Sequence, residues 1–291
     1  MKLSHNQAVL TMVAVTLMWS TAGVVTRHLE HAQRFEVTFW RSFFTVLCLM
    51  VILPLVRGKD VFSRMRHGGV ALWVSGLCWS GMFTFFMLAI MLTTVANVLV
   101  TLALSPLFTA IAARVFIGHR IALRTWMAIG VAGFGIAYMY ASQLGQGISL
   151  AGTLIALCVP ISGAANWTVT QHAHAQGRDV DLMPAVLIGG VLSSMMTLPL
   201  AWPFQASGHD VALLFGLGLV QLAIPCVLVV MCTRVLKAPE VALLGLLEVI
   251  FGILLAWFGA GEVPGQDVFV GGALVIGALV ANELVAWRGR A

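Results

Sequence analysis

The sequence predicts an all-α polytopic membrane protein: ten transmembrane helices, arranged as two five-helix repeats of inverted topology, with both termini cytoplasmic. Three observations carry this. The chain is 60% apolar and only 9% charged, where a soluble protein averages about 25% charged, and its mean hydropathy is +0.99. The apolar residues fall in blocks of roughly 20, the length that crosses a bilayer core as helix. One stretch also occurs twice. Leu102–Pro106 reads Leu-Ala-Leu-Ser-Pro and leads to Phe116–Arg120, and Leu244–Glu248 reads Leu-Gly-Leu-Leu-Glu and leads to Gly259–Val263. Ser105 to His119 spans fourteen residues, as does Glu248 to Glu262, an offset of 143 in a chain of 291. Such self-similarity divides the chain into halves, 1–145 and 146–291.

The spans are expected at roughly 8–26, 36–56, 70–90, 95–116, 123–141, 150–171, 182–201, 211–232, 239–258 and 268–287. The first is read as a retained helix rather than a signal peptide, because nine more spans follow. The clearest breaks are Thr93-Thr94, Gln143–Gly147 and Gly261–Gln266. With the N-terminus inside, 13 of the 16 Lys and Arg residues fall on cytoplasmic segments, and only Arg27, Arg34 and Arg41 fall outside, around the first outer loop. Five helices per half then force the second half to enter from the opposite side, an architecture common in secondary transporters.

Individual spans carry further signals. The third is aromatic, with Phe83 and Phe86 one and two turns beyond Trp79. The fourth, sixth and eighth contain Pro106, Pro160 and Pro225, each with a polar neighbour in Ser105, Ser162 or Gln221. Proline removes a backbone donor, and the freed carbonyls need a cavity or a neighbouring helix. The fifth and tenth carry small residues at spacing four, Gly133, Ala137 and Ala141, then Ala273, Gly277 and Ala281. Such stripes suit close helix packing in lipid.

Trp40, Trp73, Trp126, Trp202 and Trp287 sit near span ends and fit an interfacial belt. Trp19, Trp79 and Trp167 lie deeper, where the indole N–H needs a partner: a hydrated cavity or a neighbouring carbonyl. Glu248 is the lone carboxylate near mid-membrane, and a charge there costs about 2.5–3.5 kcal/mol on insertion scales. Proton coupling and an interhelical hydrogen bond are both open to it. Glu240 is expected at the cytoplasmic start of the same span, where a helix N-terminus favours a carboxylate. Lys and Arg are expected to be absent from mid-depth, which counts against a dianionic cargo and suits a small zwitterion or neutral solute.

The five cysteines lie in apolar blocks without metal-knuckle or disulfide spacing. His172 and His174 share a loop but have no third ligand. Asn166-Trp167-Thr168 matches a glycosylation sequon but lies within a span. No cofactor, metal or nucleic-acid partner is expected, and no motif points to an enzyme.

These residues resemble the drug/metabolite transporter superfamily, in its ten-helix form built of two EamA-type repeats. The likeness rests on Trp19-Ser20, Phe39-Trp40-Arg41, Leu53-Pro54-Leu55, Leu104-Ser105-Pro106, Leu247-Glu248-Val249 and Gly261-Glu262. The chain departs from the family pattern at Ser105, His119 and Val249. Within the superfamily it is most similar to the bacterial aromatic amino-acid exporters linked to paraquat resistance. The resemblance implies a multi-pass carrier of the bacterial inner membrane that exports aromatic and other neutral amino acids through a central cavity. The expected lining is Trp19, Trp79, Phe83, Asn97, Thr101, Ser105, Pro160, Trp167, Gln221 and Glu248. Cationic drugs, nucleosides and sulfur metabolites are the rival cargoes, and a non-transporting membrane subunit is the distant rival.

Overall fold

The computed structural model describes residues 4–66, 68–117, 123–143, 150–175, 182–232, 235–236, 244–245 and 247–288. His119, Arg120, Arg178, Arg234, Lys237 and Glu240 lie outside them, as does most of the expected break at 143–147. The described regular structure is entirely helical. Six stretches are long and apolar enough to cross a membrane: His5–Thr26, Arg34–Arg57, Gly69–Ile90, Val95–Phe116, Met183–Ala201 and Gly208–Val229. Leu150–Asn166, Leu247–Ala260 and Gln266–Asn282 are shorter apolar helices. The chain is a multi-pass membrane protein by these helices.

Helix α1 (His5–Thr26) opens on a capping box in which Ser4 and Gln7 satisfy each other's backbone N–H. Helix α2 (Arg34–Arg57) opens on a box between Gln33 and Glu36. A short α3 (Val61–Arg66) follows inside the basic segment that the sequence leaves as loop. Next come α4 (Gly69–Ile90), α5 (Val95–Leu102), α6 (Ser105–Ile117), α7 (Leu123–Gln143) and α8 (Leu150–Ala175). Helix α9 (Met183–Ala201) carries Pro184 in its first turn, where the missing N–H costs nothing. Helix α10 (Gly208–Gly216) begins on a box between Ser207 and Asp210. A π-helical segment, Leu217–Ala223, joins it to α11 (Ile224–Cys232). Helices α12 (Leu247–Ala260) and α13 (Gln266–Arg288) complete the description.

Two spans expected to be continuous are broken. The fourth divides into α5 and α6 at Ala103-Leu104, just ahead of Ser105-Pro106, because proline at the second position of a helix suits a start and not a continuation. The eighth contains the π-helical segment just before Pro225. Proline cannot donate to the carbonyl four residues back, at Gln221, and widening to π geometry absorbs that loss. Pro160, by contrast, lies inside an unbroken α8.

Helix α4 packs on α8 and α9, and α2 on α9 and the π-helical segment. Helix α1 packs on α11 and α12, α8 on α5 and α6, and α7 on α13. Apolar side chains cover the outside, among them Leu55, Val70, Phe258 and Trp202. The α7–α13 contact corrects one expectation. Gly133, Ala137, Ala273 and Gly277 are exposed, and a Cβ on Gly133 or Gly277 would meet nothing. The buried face instead carries Ala128, Ala132 and Gly135 against Gly271 and Val275. A Cβ on Gly135 would stand 2.8 Å from the Gly271 carbonyl oxygen. Two residues turn a helix by about 200°, so the spacing was right and the face opposite.

Candidate functional site

The centre of the molecule is organised by a residue that the sequence places at the outer end of the second span, among the topology-setting basic residues. Arg41 lies in the second turn of α2, on the buried spacing-four stripe that continues through Thr45, Leu49 and Leu53. It is 1% exposed, the largest of the fully buried side chains. A cation so placed costs several kcal/mol to desolvate, and the expectation that the interior holds no Arg is therefore overturned. The signal was present, because Arg41 keeps the register of the buried stripe instead of the lipid face.

The fold meets part of that cost with oriented dipoles. Arg41 Nη1 donates to Gln221 Oε1 at 3.0 Å, and Nη2 donates to the Phe83 carbonyl oxygen at 2.7 Å. The guanidinium carbon stands 5.8 Å and 5.7 Å from the ring centres of Phe83 and Phe86, within cation–π range. Gln221 Nε2 in turn reaches the Trp19 carbonyl oxygen at 3.5 Å. Three elements thus meet at one guanidinium, α2, α4 and the π-helical segment, and α1 joins them through Gln221.

The π-helical segment approaches α2 closely because Gly218 has no side chain. A Cβ there would lie 2.7 Å from Phe44 Cβ and 3.0 Å from the Arg41 carbonyl oxygen. Thr45 Oγ1 donates to the carbonyls of both Arg41 and Gly218, at 2.8 Å and 3.2 Å. Beside this centre, Ser193 Oγ lies 2.9 Å from both Ser42 Oγ and Thr84 Oγ1, tying α9 to α2 and α4.

Of the ten expected lining residues, Trp19, Phe83 and Gln221 touch this network directly. Trp79 joins through its ring, 5.6 Å from that of Phe83. Glu248 stands in the first turn of α12, where the helix dipole favours a carboxylate. Its side chain is half-buried. Gly252, one turn on from Glu248, lies against α1, where a Cβ would stand 3.6 Å from Ser20 Cβ. Glu248 and Ser105, equivalent in the sequence repeat, each stand within the first two residues of a helix, α12 and α6.

The other expected residues whose side chains are described make local contacts. Asn97 lies in the first turn of α5, where its Nδ2 donates to Thr93 Oγ1 at 3.2 Å, and Thr101 Oγ1 donates to the Asn97 carbonyl. Ser105 Oγ donates back to the Leu102 carbonyl at 2.7 Å. Pro160 is buried within α8. Trp167 lies on α8, and its side chain is outside the described set.

Three carboxylates clasp the end of the molecule that holds the turns at 27–33, 91–94, 202–207 and 261–265. Asp210 accepts from the backbone N–H groups of Glu30, His31 and Ala32 at 2.8–3.0 Å. Glu36 accepts from those of Gln205 and Ala206 at 2.8–3.1 Å. Glu262 accepts from Arg27 Nε and from the Val95 N–H. Each carboxylate binds the backbone of a segment at least 160 residues away in sequence.

Residues 6–141 match the EamA-like transporter family. An uncharacterized transporter from Archaeoglobus fulgidus is 26% identical over 98% of this chain and 97% of its own length. A solved crystal structure of a protein shares the fold, with a TM-score of 0.65 at 19% identity, covering 99% of this chain and 100% of that one. The helices make this a multi-pass membrane protein, and residues 6–141 are the segment similar to the EamA-like transporter family.

Proposed function

We propose that this protein is a ten-helix secondary carrier of the bacterial inner membrane, exporting aromatic and other neutral amino acids by alternating access. Residues 1–145 and 146–291 are its two EamA-type repeats, related by inversion. The pairing of helices supports this division. Exchanging α1 with α8, α2 with α9, α4 with α10–α11, α5–α6 with α12 and α7 with α13 converts the largest helix contacts into one another. The α4–α8 contact becomes α11–α1, and α4–α9 becomes the π-helical segment on α2.

The observation that carries the functional reading is the Arg41–Gln221 hydrogen bond. It joins the two halves inside the bilayer depth, with Phe83, Phe86, Trp79 and Trp19 beside it. A buried polar junction between halves, flanked by aromatic rings, suits a solute with a charged head and an apolar side chain. Glu248 at a helix start on the facing half is available for an ammonium group or a proton. Counterflow in proteoliposomes tests the reading. Vesicles loaded with unlabelled phenylalanine should accumulate labelled phenylalanine from outside at equal pH. Failure to do so, with exchange of a cationic drug, a nucleoside or a sulfur metabolite instead, overturns the amino-acid assignment.

A further inference from the structure

We infer that Arg41 is the anion anchor of the carrier, the group that holds the cargo's carboxylate. This rests on the carrier reading above and deepens it by naming the charged group that the site selects.

A guanidinium has five N–H donors in a rigid plane. Two are used here, toward Gln221 and the Phe83 carbonyl. The Nε–H is buried and has no partner. Both acceptors that Arg41 does have are neutral, and no Asp or Glu among the described residues lies within ion-pair distance of it. A purely structural arginine in an apolar interior is expected to be paired with a carboxylate. This one is oriented by two neutral dipoles and by the rings of Phe83 and Phe86, while its charge and one edge of its fork stay uncommitted. A planar fork with a free edge fits a carboxylate through two parallel N–H···O bonds.

The surroundings fix the class of anion. Arg41 is the one fully buried arginine among the described residues, so the site balances one negative charge and not the two of a phosphate ester. Glu248, on the helix that packs against α1, makes no ion pair with Arg41, which leaves it for an ammonium and disfavours a second anionic group. The aromatic rings at the guanidinium favour an apolar body on the carboxylate. The anchor therefore selects a monocarboxylate carrying an apolar or aromatic side chain.

The test is a ligand comparison on full-length wild-type protein in lipid nanodiscs, followed by intrinsic tryptophan fluorescence. The probes are phenylalanine, 3-phenylpropanoate, phenylalanine amide and phenethylamine. Both carboxylates should bind at least about tenfold more tightly than the two probes lacking one, the scale of losing a charge-assisted hydrogen bond. Arg41→Gln should flatten that preference, and Arg41→Lys should restore it in part. Equal binding of the amide and the acid, no response to either carboxylate, or an Arg41→Gln protein that keeps the preference would overturn the inference. The wild-type comparison stands even if the variants do not fold. Binding of 3-phenylpropanoate without phenylalanine would uphold the anchor and overturn the amino-acid reading, which separates the two.

Discussion

Arg27 Nε donates to Glu262 Oε2 at 2.8 Å, and the other oxygen of Glu262 accepts the Val95 N–H at 2.7 Å. Arg27 also donates to the carbonyls of Ile90 and Thr93. One carboxylate from the second half thus holds the ends of α1, α4 and α5 from the first. Both side chains are partly exposed, so the pair itself contributes little to stability. In the alternating-access cycle proposed above, its consequence is conformational, because it parts when this end opens. Glu262→Gln removes the charge and leaves the shape. The variant should change the maximal transport rate more than the thermal midpoint in detergent. A large fall in the midpoint with an unchanged rate would assign the pair to folding alone.

Asp210 gathers three backbone N–H groups from residues 30–32 and a fourth from Ser207. Asp210→Ala strips an acceptor from all four. A loss of about 2–3 kcal/mol is expected, since hydrogen bonds to a charged group carry most of the value. Chemical denaturation in mixed micelles measures it. Glu36→Ala should behave alike, because it accepts from Gln205 and Ala206.

Gly218→Ala tests the close approach of the π-helical segment to α2. The added Cβ meets the Arg41 carbonyl, which is backbone and cannot swing aside. The variant should lose binding of the carboxylate probes together with thermal stability. Gly216→Ala, two residues away with open space at its Cβ, should be close to neutral in both.

Gly135 and Gly133 provide a matched pair on one helix. Gly135→Leu drives a side chain into the Gly271 backbone and should separate α7 from α13, costing several kcal/mol. Gly133→Leu faces open space and should shift the thermal midpoint by little. The reverse order would mean that the spacing-four stripe of exposed small residues is the true interface.

Much of the architecture was legible in the sequence because bilayer thickness leaves few options for helix length. The expected spans 36–56, 70–90 and 182–201 correspond to Arg34–Arg57, Gly69–Ile90 and Met183–Ala201. The Ser105-Pro106 break was foreshadowed by the proline, and Gln221 by its place before Pro225. Arg41 was missed because a charge seven residues from a helix start reads as a topology signal, when its register with Thr45 and Leu49 places it inside. Asn97 was expected at the centre by type and depth. It lies instead in the first turn of α5, where Thr93 and Thr94 hold it. The four-residue stripe on α7 failed for a related reason: glycine and alanine are common on lipid-facing surfaces too, so spacing alone does not choose the face.

Cross-linking across the Arg27–Glu262 clasp tests the central claim most directly. Cysteines at these two positions, in a protein otherwise free of cysteine, would be bridged by a short, reducible bifunctional thiosulfonate. Phenylalanine counterflow would then be measured before bridging, after it, and after reduction. The expected result is transport that stops on bridging and returns on reduction, because the halves must part at this end to release cargo. Counterflow at the full rate in fully bridged protein would contradict alternating access through this face.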